Sequence, residues 1–391
     1  MLPISYSLGN VVARPGRSLV LVTVVALVVI ACSLFLGLLT SLRRTVGLTG
    51  NELNLVVLRK GSDNDGASQI TTAAYDSIRY LEGIAIGPAG ERLVSPELVV
   101  QPFFRTRTGG RENVLVRGIE PTAYLVHDDV KIVEGRMARP RLGEVVIGRA
   151  VRGRYEGAEL GETLEFGRGR WRVVGVFESD GSSFESEVWA DAQDLASDAR
   201  RMNPYSGVRL RAAGEDDLSA LKERIDSDPR FALEASRETD YYAKQAETSA
   251  SLTFLVVAIA VLAGTGAGFG AANTMYAAVQ ARTAEIGTLR ALGFPRAAIL
   301  ISFEVESLVL SVAGFALGAL LTLALAEVLR FALGGIAFGA RTFTTQVVTL
   351  SIAPEDLAIS FGLSVAIGVV GGFGPAWRAA KLRPIEALRK A

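Results

Sequence analysis

Four long apolar runs, separated by stretches of ordinary charge, limit what this chain can become. No charged residue occurs from Leu19 to Leu42, and about 24 residues at a 1.5 Å rise exceed the roughly 30 Å hydrocarbon core of a bilayer. Three further runs follow, from Leu252 to Val279, from about Ile299 to Leu329 and from Leu357 to about Trp377. A cleaved leader explains the first run poorly, because it is too long and Arg43 and Arg44 follow it without a small-residue cleavage site. Only the third run contains acids, Glu304, Glu306 and Glu327. Each lies within a turn or two of a boundary, from where a carboxylate reaches the headgroups or a partner. With 49% hydrophobic and 21% charged residues, the chain is too apolar for an ordinary soluble protein and too polar to be membrane throughout.

Lys and Arg in short loops set the direction of insertion. Arg282, Arg290 and Arg296 stand against Glu285 between the second and third runs, and Arg378, Lys381, Arg383, Arg389 and Lys390 stand against Glu386 after the fourth. The loop from Phe331 to Ala353 has only Arg341. The two basic segments are therefore expected in the cytoplasm. Four spans then put the N-terminal segment inside as well, in agreement with Arg14 and Arg17, and Arg43 to Ser251 outside. Arg43 and Arg44 argue mildly the other way, but charges beside a large translocated domain count for less. The predicted order is a cytoplasmic segment 1–18, a span 19–42, an outer domain 43–251, a span 252–279, a cytoplasmic loop 280–297, a span 298–330, a short periplasmic loop 331–356, a span 357–377 and a cytoplasmic tail 378–391.

The outer domain reads as α+β. Leu53–Leu58, Leu98–Thr106 and Val114–Gly118 have strand character, and Thr71 or Thr72 can cap a helix in which Tyr75, Ile78 and Leu81 share a face. After Gly135, short strands at Glu144–Ile147, Thr163–Phe166, Trp171–Phe177 and Val188–Ala190 alternate with Gly-rich turns. Val208–Arg211, a helix near Leu218–Ile225 and Phe231–Glu234 then resume a β-α-β texture. The expectation is a discontinuous subdomain, 43–141 with 200–251, carrying a β-rich insert at 142–199.

Composition removes several functions. Lys plus Arg (41) balances Asp plus Glu (41), so nothing points to nucleic acid. The one cysteine, Cys32, lies in an apolar run as a small lipid- or helix-facing residue and excludes an intrachain disulfide. His127, the one histidine, reads as a surface residue beside Asp128 and Asp129. Zinc sites and Ser/His/Asp triads thus lose their usual ingredients. No catalytic, cofactor-binding or metal-ligating residue is expected.

Glycines recur inside the spans. Gly266-Ala-Gly-Phe-Gly270-Ala formally matches a dinucleotide fingerprint, but no soluble strand precedes it. Gly264 with Gly268, Gly266 with Gly270, Gly314 with Gly318 and Gly368 with Gly372 instead have the spacing that lets helix backbones approach closely in lipid. The spacing leaves open whether the partner helix belongs to this chain or to a second subunit, and whether the glycines also act as hinges.

The segment Arg282-Thr-Ala-Glu-Ile-Gly-Thr-Leu-Arg-Ala-Leu-Gly-Phe-Pro-Arg296 reads as a short helix with a built-in stop. Glu285 and Arg290 suit the two ends of its dipole, Gly293 the left-handed cap position and Pro295 the start of the next helix. Ile286, Leu289 and Leu292 form an apolar face too small to be a core, so it should dock on something. This segment resembles the EIGxLRALG loop of the FtsX-like permeases, the MacB-related ABC transporters. Phe303-Glu-Val-Glu306-Ser-Leu followed by Gly314 and Gly318 resembles that family's third span, and Gly374-Pro-Ala-Trp-Arg-Ala-Ala-Lys-Leu-Arg-Pro384-Ile-Glu-Ala-Leu-Arg389 its terminal signature. Gly161-Glu-Thr-Leu-Glu-Phe and Trp171-Arg-Val-Val-Gly-Val-Phe resemble its inserted β subdomain.

The resemblance implies a membrane α-helical fold with four transmembrane helices, and an inserted α+β extracytoplasmic domain of a porter-like and a β-rich part. It implies a bacterial inner-membrane permease that works as a homo- or heterodimer with cytoplasmic ABC ATPase domains and transmits helix movement to the outer domain. Glu285, Ile286, Leu289, Arg290, Leu292 and Gly293 would couple to the ATPase, with Glu306 bracing the loop through Arg282 or Arg290 or else reaching the headgroups. Arg378, Lys381 and Arg383 would brace the ATPase or meet anionic lipid. The sequence lacks the G-x-x-x-x-G-K-[ST] phosphate loop, so ATP and Mg are expected on a separate polypeptide and none on this chain. A periplasmic adaptor, a lipoprotein chaperone or an outer-membrane channel would be further partners, and lipoproteins, lipids, peptides or drugs the cargo. Two other classes fit the same topology, a regulator that activates a periplasmic cell-wall hydrolase and a passive anchored binding protein.

Overall fold

A computed structural model describes residues 15–246, 248–333, 336–339 and 345–382; Arg14 and the terminal signature beyond Leu382, with Arg383, Arg389 and Lys390, lie outside them, as does Arg341. The chain divides into two compact units. One contains the described residues up to Ser41, Ala250–Leu333 and those from Leu350 onward, and the other Leu42–Ser249 with the described part of Gly334–Thr349.

The first unit is helical. Among the described residues, four helices are long and apolar enough to cross a membrane, covering Ser18–Gly47, Val257–Ala281, Arg296–Phe331 and Pro354–Lys381. Leu21, Val25 and Val29 of the first span pack with Ala267 and Ala271 of the second, Leu310 of the third and Ile367 of the fourth. Small residues allow this approach. A Cβ placed on Gly314 would fall 2.7 Å from Val25 Cβ, and one on Gly318 would fall 2.8 Å from the Ala26 carbonyl oxygen. Gly368 and Gly372 lie against Ser311 and Ser307 of the third span, and the Ser307 hydroxyl donates to the Gly368 carbonyl at 2.8 Å. Polar side chains of this interior pair across helices, Ser33 with Ser360 at 2.8 Å and Thr40 with Asp356 at 2.9 Å. Cys32 is buried beside them.

The second unit is built on a mixed sheet. Its strands are β1 (Asn54–Arg59), β2 (Val94–Val100), β3 (Phe103–Arg105), β4 (Arg111–Asn113), β5 (Val116–Ile119), β6 (Lys131–Gly135), β7 (Glu144–Gly148), β8 (Thr163–Phe166), β9 (Gly169–Glu178), β10 (Val188–Asp191), β11 (Gly207–Arg211) and β12 (Leu233–Arg237). The order β12-β1-β11-β2-β5-β10-β7-β9-β6, with β8 added on β9, makes one continuous sheet, while β3 and β4 form a separate two-stranded ribbon. The sheet is antiparallel except where β10 meets β5 and β7 meets β9. A second short ribbon pairs Ile336–Gly339 with Thr345–Val348.

This continuity changes the expected division at 142 and 199. Strand β10 of the expected insert pairs directly with β5 of the flanking segment, so backbone hydrogen bonds run through the boundary. The predicted strand Leu98–Thr106 is interrupted at Gln101-Pro102 and becomes β2 and β3, as expected of a residue with no N–H for the ladder. Thr71 is the helix cap, its hydroxyl accepting from the Ala74 amide at 3.2 Å. Helices cover one sheet face: Thr72–Ile78 and Glu215–Asp226 pack over Leu55, Val57, Val208 and Leu210, and Leu195 and Ala196 of the helix Ala192–Asp198 over Val116, Val145 and Val188. Tyr241, Tyr242 and Phe184 cluster with Val56, Val146 and Trp189 on the other.

Candidate functional site

In the helical unit, the loop between the second and third spans forms the helix Thr283–Ala291. Nine residues are too few for a helix to persist alone in water, so tertiary contact must hold it. Ile286, 2% exposed, enters a cluster with Met275 and Val279 of the second span, Ile299 and Phe303 of the third and Ala376 and Ala379 of the fourth, and Leu289 packs against the same cluster. Arg282, at the start of the helix, donates from Nη1 to Glu306 Oε2 at 2.8 Å, with both side chains almost fully buried. Arg290 donates to the Phe294 carbonyl at 2.8 Å and Gly293 adopts a φ of 91°. Together these satisfy and end the last turn.

The expected apolar face is therefore divided. Successive helical residues turn by about 100°, so Leu292 lies roughly 120° around from Ile286. Ile286 and Leu289 are used inside the chain, and Leu292 is 73% exposed. The open face carries Glu285, Thr288, Ala291 and Leu292. Glu306 accepts from Arg282, and Arg290 donates to the Phe294 carbonyl.

The glycines of the spans also separate. Gly314, Gly318, Gly368 and Gly372 meet other helices of this chain, whereas a Cβ on Gly266 or Gly268 would meet nothing within 4 Å and one on Gly270 only Val24 at 3.9 Å. Gly264 faces Leu363 at 3.1 Å. The second and fourth spans meet tightly at Gly371, which the spacing rule passes over: a Cβ there would lie 2.6 Å from Ala271 Cβ.

The outer unit contains a feature the sequence reading missed. His127 is 1% exposed, not on the surface, because the turn that ends the short helix Ala123–Val126 points its ring inward. Its Nε2 lies 2.8 Å from Glu97 Oε1 and its Nδ1 3.8 Å from Glu238 Oε1. Arg117 donates to Glu187 through Nε at 2.7 Å and to Glu97 through Nη1 at 2.7 Å. Arg209 reaches Glu97 at 2.7 Å, Asp65 at 2.8 Å and Glu238 at 3.5 Å. Tyr241 donates to Asp65, Trp189 to Glu187 and Asn54 to Glu238. Burial would push the Glu97 and Asp65 carboxyls up, but the surrounding cations hold both below the usual carboxylate range. Four carboxylates thus share two guanidiniums and one imidazole on the sheet face covered by the helix Glu238–Ala246.

The family model of the MacB-like periplasmic core domain matches residues 18–228, and that of the FtsX-like permease C-terminal region residues 252–384. The chain belongs to the MacB-related FtsX-like permeases. Among curated relatives, the macrolide export ATP-binding/permease protein MacB of Rhodopseudomonas palustris (strain HaA2) is 28% identical over 73% of this chain and 44% of its own length. The MacB of Bordetella avium (strain 197N) is 28% identical over 87% and 52%. The chain spans about half the length of these relatives. The solved periplasmic region of MacB from Actinobacillus actinomycetemcomitans is 14% identical with a TM-score of 0.38, covering 52% of this chain and 95% of that one. As a member of this permease family, the chain is an inner-membrane protein with a periplasmic core domain.

Proposed function

We propose that this chain is a non-catalytic permease subunit of an ABC transporter, with its terminal segments and the helix Thr283–Ala291 in the cytoplasm. A separate ATPase engages that helix, and nucleotide-driven helix movement passes to the periplasmic domain to extract or export a lipoprotein, lipid, peptide or drug. A second permease copy or a paralogue completes the assembly. The observation that carries the reading is the division of the short helix. Its inner face is anchored by Ile286 and the Arg282–Glu306 pair, and its outer face offers Glu285, Thr288 and Leu292. A rigidly seated helix with an open face transmits a push, whereas a loose connector absorbs it. Chain continuity supports the output side, because Leu42 and Val46 at the end of the helix Pro15–Gly47 belong to a cluster of the outer unit.

Two measurements test this. Leu292→Asp should leave the melting temperature unchanged while reducing recovery of the ABC ATPase with the purified permease about tenfold or more, since it places a charge in a desolvated contact. Full retention of the ATPase removes the coupling role. Leu292→Cys should react with a membrane-impermeant maleimide only in inverted vesicles. Labelling in intact spheroplasts reverses the orientation and with it the partner.

A further inference from the structure

Three chain segments lead from the spans into the outer unit, and all three meet one short element, the 3₁₀ turn Ser183–Ser186. The helix Pro15–Gly47 is prolonged where the Leu48 amide bonds the Arg44 carbonyl and the Thr49 amide the Val46 carbonyl, so Thr49 moves with the end of the first span. Its hydroxyl donates to the Thr45 carbonyl at 2.8 Å and accepts from the Ser183 amide at 2.9 Å. The helix Glu238–Ala246, just before the second span, sets Tyr242 edge-on to Phe184 with ring centroids 5.9 Å apart. The ribbon between the third and fourth spans donates its Val347 amide to the Ser186 hydroxyl at 3.0 Å.

The turn is fixed on its other side to the sheet. The Glu185 carboxylate accepts from the Ser179 and Gly181 amides, both at 2.9 Å. The Glu185 carbonyl accepts from the Ala150 amide at 3.0 Å and the Glu187 carbonyl from the Gly148 amide at 2.9 Å, which ties the turn to the end of β7. Glycine is needed there, because a Cβ on Gly148 would strike the Glu185 carbonyl. Glu187, the next residue, holds Arg117 and through it Glu97 in the middle of the sheet. A turn closed by bonds over three residues, with partners on both sides, has no slack. A shift of any of the three segments either displaces it or breaks a bond.

We propose that the turn Ser183–Ser186 is the joint through which movement of the spans enters the outer domain, with the hydroxyls of Thr49 and Ser186 as its positioning groups. The inference rests on the reading above, in which the spans move, and adds where that movement arrives. The first and third spans are the input pair. They pack at Gly318, where a Cβ would fall 2.8 Å from the Ala26 carbonyl oxygen, and they lead to Thr49 and to the ribbon, so a change in their spacing reaches the turn from two sides.

Amide hydrogen exchange of the full-length chain in lipid nanodiscs, resolved to single residues, tests the joint. Gly318→Ala pushes the first and third spans apart. It should speed exchange at the Gly148 and Ala150 amides by about fivefold or more, and leave unchanged the Lys60 amide, which bonds the Ala232 carbonyl at the β12 edge of the sheet. In a chain that also carries Thr49→Val and Ser186→Ala, Gly318→Ala should alter the same two amides by less than about twofold, a non-additivity that simple loss of stability does not produce. Gly314→Val applies the push one turn away and serves if Gly318→Ala does not fold. The proposal is overturned if neither glycine variant changes Gly148 and Ala150, if the acceleration is as large without the two hydroxyls, or if Lys60 accelerates equally. No ATPase takes part, so failure here leaves the Leu292 contact standing, and a permease that retains no ATPase still answers this test.

Discussion

The two units bury polar groups by opposite means. Among the described residues, the helical unit uses mostly small hydroxyl side chains, the Asp356 carboxylate held by the Thr40 hydroxyl and the Ala353 amide, and the ion pair of Arg282 with Glu306. The outer unit buries Asp65, Glu97, Glu187 and Glu238 around Arg117 and Arg209, a network in which one cation serves several carboxylates. Desolvating a charge is costly, and the cost is recovered only while all partners are present. A pair can fail alone. A shared network fails as a whole, so it ties together the strands that contribute to it. Glu97 comes from β2, Arg117 from β5, Glu187 from the turn before β10 and Arg209 from β11, which are neighbours in the middle of the sheet.

The largest effect should follow from removing a shared cation. Arg209→Met leaves Asp65, Glu97 and Glu238 each short of a partner and should destabilise the outer domain by about 3–5 kcal/mol. Arg282→Met takes this partner from Glu306 alone and should cost less than Arg209→Met. Thermal melts of the full chain, followed by tryptophan fluorescence, compare the two. A larger loss for Arg282→Met would break the distinction between pair and network.

Acid should distinguish the outer unit next. The folded-state pKa values of Asp65 and Glu97 lie below their unfolded values of about 4. The stability they contribute is therefore complete above about pH 5 and is lost as the pH falls toward the folded values. Asp129 works in reverse, because burial raises its carboxyl, so its contribution is present in acid and is lost as pH rises through the folded value. Burial raises Glu120 likewise, whereas Glu112, Asp128, Glu144 and Asp228 are lowered together with Asp65 and Glu97, so the groups that lose stability in acid outnumber those that gain it. The melting temperature of the outer domain should fall by at least about 5 °C between pH 6 and pH 3.5, and Glu97→Gln should flatten that dependence. A pH-independent melt would show that the carboxylates of the network are not its source of stability.

The spans were legible because length and the absence of charge suffice, without knowledge of neighbours. Leu19–Leu42 became part of the helix Pro15–Gly47, and Gly293 took the left-handed cap that the sequence Leu-Gly-Phe-Pro suggested. The network was illegible for a definite reason. Arg117 in Val-Arg-Gly-Ile and Arg209 in Val-Arg-Leu-Arg occupy alternating positions that read as the solvent side of a strand. They are buried because the helix Glu238–Ala246 and the turn at Ser183–Ser186 cover that face, and only register shows that Arg117 lies opposite Val99 and Trp189. The usable signal was the coincidence of Glu97, Arg117 and Arg209 as charges flanked by apolar residues inside strands. The punctuation of the segment gives the short helix Thr283–Ala291, but which apolar residue faces outward depended on how the spans close around it.

The glycines give the two smallest effects and sharpen the account of the helical unit. Gly314→Val should destabilise it by about 1–3 kcal/mol, the usual cost of forcing volume into a packed interior, because the new Cβ would fall 2.7 Å from Val25 Cβ and 3.0 Å from the Val22 carbonyl oxygen. Gly266→Ala meets nothing within 4 Å, and alanine is the better helix former by about 1 kcal/mol, so the melting temperature of the isolated chain should stay level or rise slightly. Oligomeric state, measured for the same variant by light scattering in detergent, adds the discriminating readout. If Gly266 serves only its own chain's helix, Ala at this position changes neither mass nor melting in the harmful direction. A mass reduced at equal melting temperature would instead show that the open stripe on the second span is where another helix approaches.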